Sequence, residues 1–376
     1  MESTVAANPL HGLIEAGQSP WLDFTTRDLI RSRELERLIN EDGVRGLTTN
    51  PTIFERAVAG SDAYDADIIA LAEAGFSPDE ILTRLMAGEV QEACDAFDHV
   101  YQESLGRDGF VSLEVSPGLA RNAAATVEEA RSLWALVGRR NLMLKIPATR
   151  EGVAAIEECL ALGINVNATL VFTVARYRSV LDAYLGAIGA RRQAGLPLDW
   201  LSSVASYFVS RVDSAVDDEL ERINTPAALA LRGRAGIANA ALIYEAYARM
   251  LEGPVWHTFA MDGARPQRPL WASTAVSDPA DSPLRYCEAL IAPATVSTLA
   301  PETLLHYRTE GHPEVRLDAA AIRQAHETVA DLAALGISME EVAARLGKEA
   351  VQECSDSWDS LLRVVERKAA VLATHT

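Results

Sequence analysis

A chain of 376 residues, 49% hydrophobic and 23% charged, has ordinary globular composition and room for one large α/β domain or two smaller ones. Its net charge of −19 disfavours nucleic acid and anionic membrane as partners, and an anionic substrate would need a local basic pocket set against that field. The start lacks a basic, apolar leader and no run approaches a membrane span, so a cytoplasmic protein with no membrane segment is expected.

Read in chain order, apolar strand-like runs at 21–24, 45–50, 110–115, 141–146, 164–172, 203–209, 270–275 and 294–299 alternate with helical patterns. The helices are expected at 28–40, 63–75, 79–105, 126–137, 152–162, 174–194, 213–220, 226–251 and 281–290. Pro51 opens a further one, and 318–374 reads as two helices broken at Gly336. Eight strands alternating with helices predict an α/β fold, a (β/α)8 TIM barrel with additional N- and C-terminal helices. A doubly wound open sheet is the runner-up, weakened by the missing glycine fingerprint. No long linker divides the chain, so residues 1–376 read as one domain, and 265–269 reads as a turn before a strand.

Cys94, Cys159, Cys287 and Cys354 have no CxxC spacing, which predicts free thiols. HExxH, GxGxxG and GxxxxGK[ST] are also absent. The expectation is chemistry by side chains alone, with no cofactor and no metal.

Lys145 is the least expected residue of the strands, a lysine inside Asn141-Leu142-Met143-Leu144-Lys145-Ile146-Pro147. Burial disfavours the ammonium and prepares an amine to attack a carbonyl. The ordinary alternative is a strand-end lysine whose head reaches water. Polar groups recur near the C-terminal ends of other strands: Asp23, then Thr48, Thr49 and Asn50, Glu114, Asn167 and Thr169, Ser206 and Arg211, and Ser273 and Thr274. In a barrel those ends converge on a ligand. A polar group pointing inward without a partner costs roughly 1–3 kcal/mol, so packing alone does not explain the run. An amine with two carboxylates suits iminium formation and acid–base work, and Arg211 offers a fork for phosphate. Each residue also has a plain reading. Asp23 could cap the helix near Asp28, Asn50-Pro51 could start a turn, and Arg211 could pair with Asp213.

Trp21-Leu22-Asp23, Gly46-Leu47-Thr48-Thr49-Asn50-Pro51, Val111-Ser112-Leu113-Glu114-Val115, Leu144-Lys145-Ile146-Pro147-Ala148-Thr149, Asn165-Val166-Asn167-Ala168-Thr169, Ser206-Tyr207-Phe208-Val209-Ser210-Arg211 and Leu270-Trp271-Ala272-Ser273-Thr274 occur in this order. From about residue 10 to about residue 310 the chain resembles the transaldolases, in particular their longer bacterial branch. The resemblance implies a metal-free Schiff-base enzyme with Lys145 as the nucleophile and Asp23 as the acid/base. Glu114 and Thr169 would hold the water that shuttles protons. Thr48, Asn50, Asn167 and Ser206 would face the sugar, and Arg211 with Ser273 nearby would hold the phosphate. The substrates implied are sugar phosphates, with a dihydroxyacetone unit moved from ketose to aldose. Phe208 stands where the related fructose-6-phosphate aldolases carry Tyr, which favours transfer over cleavage. Monomer and homodimer both stay open.

One segment departs from that pattern. The branch usually continues Gly-x-Lys-Asn-Pro after Ser-Thr, whereas this chain reads Ala275-Val276-Ser277-Asp278-Pro279. Ser277 replaces a cation, and a charged hydrogen bond is worth roughly 1.5–3 kcal/mol. Arg268 and Arg285 are candidate substitutes. The departure favours a second expectation, a specialised dihydroxyacetone transferase or aldolase acting on an unusual sugar. A silent sugar-phosphate binder is the third, and the set Asp23, Glu114, Lys145 and Thr169 argues against it.

Overall fold

The expected strands close on themselves. The computed structural model describes residues 8–276 and 281–373. Its strands are β1 (Gln18–Leu22), β2 (Gly46–Thr48), β3 (Phe110–Glu114), β4 (Leu142–Pro147), β5 (Val166–Val171), β6 (Ser203–Phe208), β7 (Arg268–Ala272) and β8 (Thr295–Leu299). All pair in parallel and in sequence order, and β8 returns to β1. This is a (β/α)8 barrel with surrounding helices; the closed order rules out the open sheet.

Alternation along each strand builds two apolar layers. Leu142, Leu144 and Ile146 of β4 face the helices, within the large core. Met143 faces inward, where it joins Trp21, Phe110, Val204, Leu270 and Val296 as the barrel floor. Burying each large side chain contributes roughly 1.5–3 kcal/mol. Gly46 is required by this floor, because a Cβ there would overlap the Trp21 indole. Two residues beyond Met143, Lys145 enters the layer above the floor.

Several boundaries differ from the sequence reading for local reasons. The helix expected at 28–40 is two, Arg27–Arg31 and Glu34–Glu41, separated where Arg33 adopts φ 63°. The span 79–105 divides into Pro78–Ala96 and Asp98–Glu103, and 226–251 into Pro226–Leu229 and Ala235–Glu252. The turn expected at 265–269 is shorter, because Arg268 and Pro269 already pair with β6 as the start of β7. The additional N-terminal helix is Pro9–Glu15, while Pro254–Met261 and Pro301–Glu310 have no counterpart among the expected helices. Each opens on proline, which needs no N–H at a first helical position.

The C-terminal pair divides as expected, into Ala319–Ala334 and Met339–Ala373, with Gly336 at φ 83° between them. The second helix lies over the C-terminal mouth of the barrel. Trp358, Leu361, Val364 and Val365 bury its apolar stripe. Ser357 bonds Thr52 at 3.0 Å, and Lys368 bonds Asp65 at 2.6 Å. These contacts pin the roof to the Pro51–Gly60 and Asp65–Glu73 helices.

Candidate active site

Register brings the reactive residues together. Glu114 pairs with Lys145 across β3 and β4, and Lys145 pairs with Asn167 across β4 and β5. The three therefore stand side by side at one height, with Thr169 two residues further along β5. The Lys145 ammonium contacts the Glu114 carboxylate and donates to the Thr49 carbonyl at 3.1 Å. Both side chains of the ion pair are nearly enclosed, at 12% and 10% exposure. The lysine is thus inside the barrel mouth with a carboxylate against it, and it does not reach out to water.

Asn167 is fixed from both sides. Its amide donates to Ser112 Oγ at 3.1 Å and its carbonyl oxygen accepts from Ser206 Oγ at 2.6 Å. Ser112 was missed as a site residue. Its signal was available, since it lies two residues before Glu114 on the same face of β3. Among the described residues, the hydroxyls of Thr48, Thr49 and Thr169 are buried without a hydrogen-bond partner. Such groups are held at a cost of roughly 1–3 kcal/mol unless a ligand atom satisfies them.

Asp23 follows the last residue of β1. Burial raises its carboxyl to about 6, against the opposing pull of the Lys145 charge. A carboxyl near 6 accepts and returns protons at neutral pH. Asp23 does not cap the following helix, because Thr26 does so through its hydroxyl at 3.1 Å. Asn50 does cap its helix, accepting from Thr52 N at 3.0 Å, and it also lines the cavity described next.

A cavity of about 130 Å³ opens above Lys145, with Asn50, Glu114, Thr169, Phe208 and Arg211 on its wall. Its roof is the C-terminal helix, through Val351, Glu353, Cys354 and Ser357. No strand pattern marks these residues; Cys354 and Ser357 interrupt the buried stripe that continues at Trp358 and Leu361. Phe208 packs against Phe172 at 5.7 Å between ring centres. Arg211 lies in the first turn of the helix Val209–Ile223 and pairs with Glu353 at 2.7 Å. The alternative partner Asp213 instead accepts from Gly236 N at 2.6 Å.

Ser273 is on the same rim but off this cavity wall. It holds φ 55° and bonds Ser210 at 2.7 Å. Ser277 and Asp278 lie outside the described residues. Neither suggested substitute cation reaches the cavity. Arg268 is at the opposite end of the barrel, bonded to Ser19 at 2.8 Å and Asp108 at 2.9 Å. Arg285 contacts Asp281 and the Gly233 carbonyl, on a separate acidic depression with Asp213 and Asp217. A further signal was present in the sequence: it contains three lysines, Lys145, Lys348 and Lys368, and one of these is inside the barrel.

Comparison with known proteins gives a consistent result. A family model described as Transaldolase/Fructose-6-phosphate aldolase matches residues 20–365. The chain is 44% identical over 362 residues to a Frankia alni protein named transaldolase, covering 96% of this chain and 98% of that one. It is 45% identical over 372 residues to a Thermobifida fusca protein of the same name, covering 98% and 100%. A Mycobacterium bovis transaldolase is 43% identical over 360 residues, covering 95% and 96%.

Proposed function

The chain belongs to the transaldolase/fructose-6-phosphate aldolase family, and on that premise we propose that it transfers a dihydroxyacetone unit from a ketose phosphate to an aldose phosphate. Fructose 6-phosphate or sedoheptulose 7-phosphate is the donor in this reading. The observation that carries it is the contact between Lys145 and Glu114 inside the barrel mouth, with Asp23 facing the same charge.

Glu114 takes a proton from the Lys145 ammonium, and the free amine attacks the ketose carbonyl carbon. Loss of water from the carbinolamine gives the iminium, with Glu114 and Thr169 placed to hold that water. The Asp23 carboxylate removes the proton of the hydroxyl on the far carbon of the bond that breaks, so that this carbon becomes the aldehyde carbonyl. The carbon–carbon electron pair moves into the iminium, an enamine remains on Lys145, and the aldehyde leaves. Attack of the enamine on a second aldehyde reverses these steps. Ser112, Asn167 and Ser206 form a fixed polar chain beside the lysine that suits the hydroxyls of the bound unit. Phe208 brings no hydroxyl to the site, which supports retention of the enamine for transfer over its protonation.

The Glu353–Arg211 pair favours the specialised version of this activity. A carboxylate on the arginine assigned to the phosphate competes with that phosphate. The sugar used would then differ from the ordinary donor or acceptor at its phosphorylated end. The direct test incubates the protein with fructose 6-phosphate and erythrose 4-phosphate and measures sedoheptulose 7-phosphate and glyceraldehyde 3-phosphate. Production of both supports transfer. Release of dihydroxyacetone supports simple cleavage, and no product with a panel of ketose phosphates overturns the proposal.

A further inference from the structure

A second depression, of about 410 Å³, adjoins the Lys145 cavity on the same rim. Arg121, Arg150, Arg176 and Lys348 line it. Arg121 precedes the helix Ala123–Val137. Arg150 and Arg176 lie in the first turns of Arg150–Leu162 and Val174–Gln193, and Lys348 comes from the roof helix. Among the described residues, no hydrogen bond or ion pair engages the charged group of any of the four. Some cations elsewhere are tied down, as Arg27 is to Asp67 and Arg139 to Asp95, both at 2.6 Å; what sets these four apart is that they gather in one concavity. Two carboxylates, Glu151 and Glu340, also line the depression and leave it net positive. Cations gathered in one concavity focus a local positive field on a chain of net charge −19, and such a cleft attracts an anion.

The surroundings strengthen the case. Thr149 and Thr173 cap the two helices whose positive ends face this depression. Ala148 and Thr149 continue the strand that carries Lys145. Leu170 and Val351 form a wall shared by the two volumes. Leu170 stands at φ 59° where the β5–β6 register shifts, so the backbone is strained where it separates them.

We propose that this depression binds a phosphate monoester, with Arg121, Arg150, Arg176 and Lys348 as its ligands. Arginine forks suit three phosphate oxygens, and the lysine adds a point charge. The substrate-class part of this inference rests on the transaldolase reading, because the phosphate would belong to the sugar reacting at Lys145 or to a separate phosphate near the roof helix. It is a place for a phosphate in addition to Arg211, which pairs with Glu353.

The test compares the full chain with the triple variant Arg121→Gln, Arg150→Gln, Lys348→Gln. All three positions are exposed, so folding should be little affected. Inorganic phosphate is titrated by calorimetry, and KM is measured for erythrose 4-phosphate and for unphosphorylated erythrose. The proposal expects phosphate binding to weaken roughly tenfold or more in the variant. If the phosphate is the substrate's own, KM rises by a similar factor for erythrose 4-phosphate, stays within about twofold for erythrose, and phosphate competes with the acceptor. If it is a separate anion, both KM values stay together while phosphate binding is still lost. Phosphate binding that is absent from the wild type, or equal in the two proteins, overturns the proposal. Loss of phosphate binding in a protein without transfer activity leaves this site standing and counts against the transaldolase reading alone.

Discussion

The two ends of the barrel use similar polar residues and leave them in different states. At the N-terminal end, Arg268 bonds Ser19, Asp108 and the Arg107 carbonyl, and Ser19 bonds the same Asp108 at 2.7 Å. The Gln267 amide bonds Ser203 at 2.8 Å and the Gln18 amide bonds Thr295 at 2.9 Å, although the side-chain oxygens of both are buried without a partner among the described residues. That network ties strands and loops to one another. At the C-terminal end, the hydroxyls of Thr48, Thr49 and Thr169 are buried without partners among the described residues, and burial raises the Asp23 carboxyl to about 6. The lower end is arranged for stability. The upper end keeps hydrogen-bonding capacity and an unfavourable charge for use on a ligand.

Exchanging charge for amide at each end would break or sharpen that contrast. The largest effect is expected for Asp23→Asn, with transfer falling about 10²- to 10⁴-fold while the Lys145 adduct still forms. Stability should move the other way. The folded carboxyl titrates near 6, above its ordinary 3.8, so the folded state binds the proton more tightly. Ionised Asp23 therefore costs stability progressively as pH rises from about 4 to about 6, and by a constant amount above that. Melting curves should show Asp23→Asn more stable than the wild type at pH 8, by on the order of 2 kcal/mol, and equal to it near pH 3. The wild-type kcat/KM should fall on the acid side through about 6. A variant that is inactive and also less stable at pH 8 would contradict this assignment.

The opposite pattern is expected at the floor. Arg268→Met leaves the Asp108 carboxylate, 17% exposed, without its cation. Denaturant unfolding should show a loss of about 2–3 kcal/mol, with kcat within about twofold of the wild type. A large fall in kcat with the fold intact would erase the distinction between the ends.

Local sequence made the strands and their inward residues legible, because a period of two places Lys145 above Met143 and Glu114 above Ser112. The closed order then followed from eight alternating strands. Helix breaks were less legible: nothing in the pattern of 28–40 requires Arg33 to turn left-handed. The roof was illegible for a different reason. Glu353 meets Arg211 across 142 positions, and an amphipathic helix does not state which surface it will cover. The resemblance supplied the roles of Asp23 and Arg211, and the packing supplied their neighbours.

The smallest effect is expected at the roof itself. Arg211 and Glu353 are 38% and 58% exposed, so their pair contributes little to stability. Glu353→Gln should leave the melting temperature nearly unchanged and lower KM for a ketose phosphate by roughly two- to fivefold. An unchanged or higher KM would mean that Glu353 does not compete with the substrate at Arg211.

Reductive trapping tests the proposed Schiff-base role of Lys145 most directly. The protein is incubated with fructose 6-phosphate, treated with borohydride and mapped by mass spectrometry of its peptides. The account predicts one adduct, on Lys145, that disappears in Lys145→Ala. An adduct on Lys348 or Lys368, or none with any ketose phosphate, would contradict it.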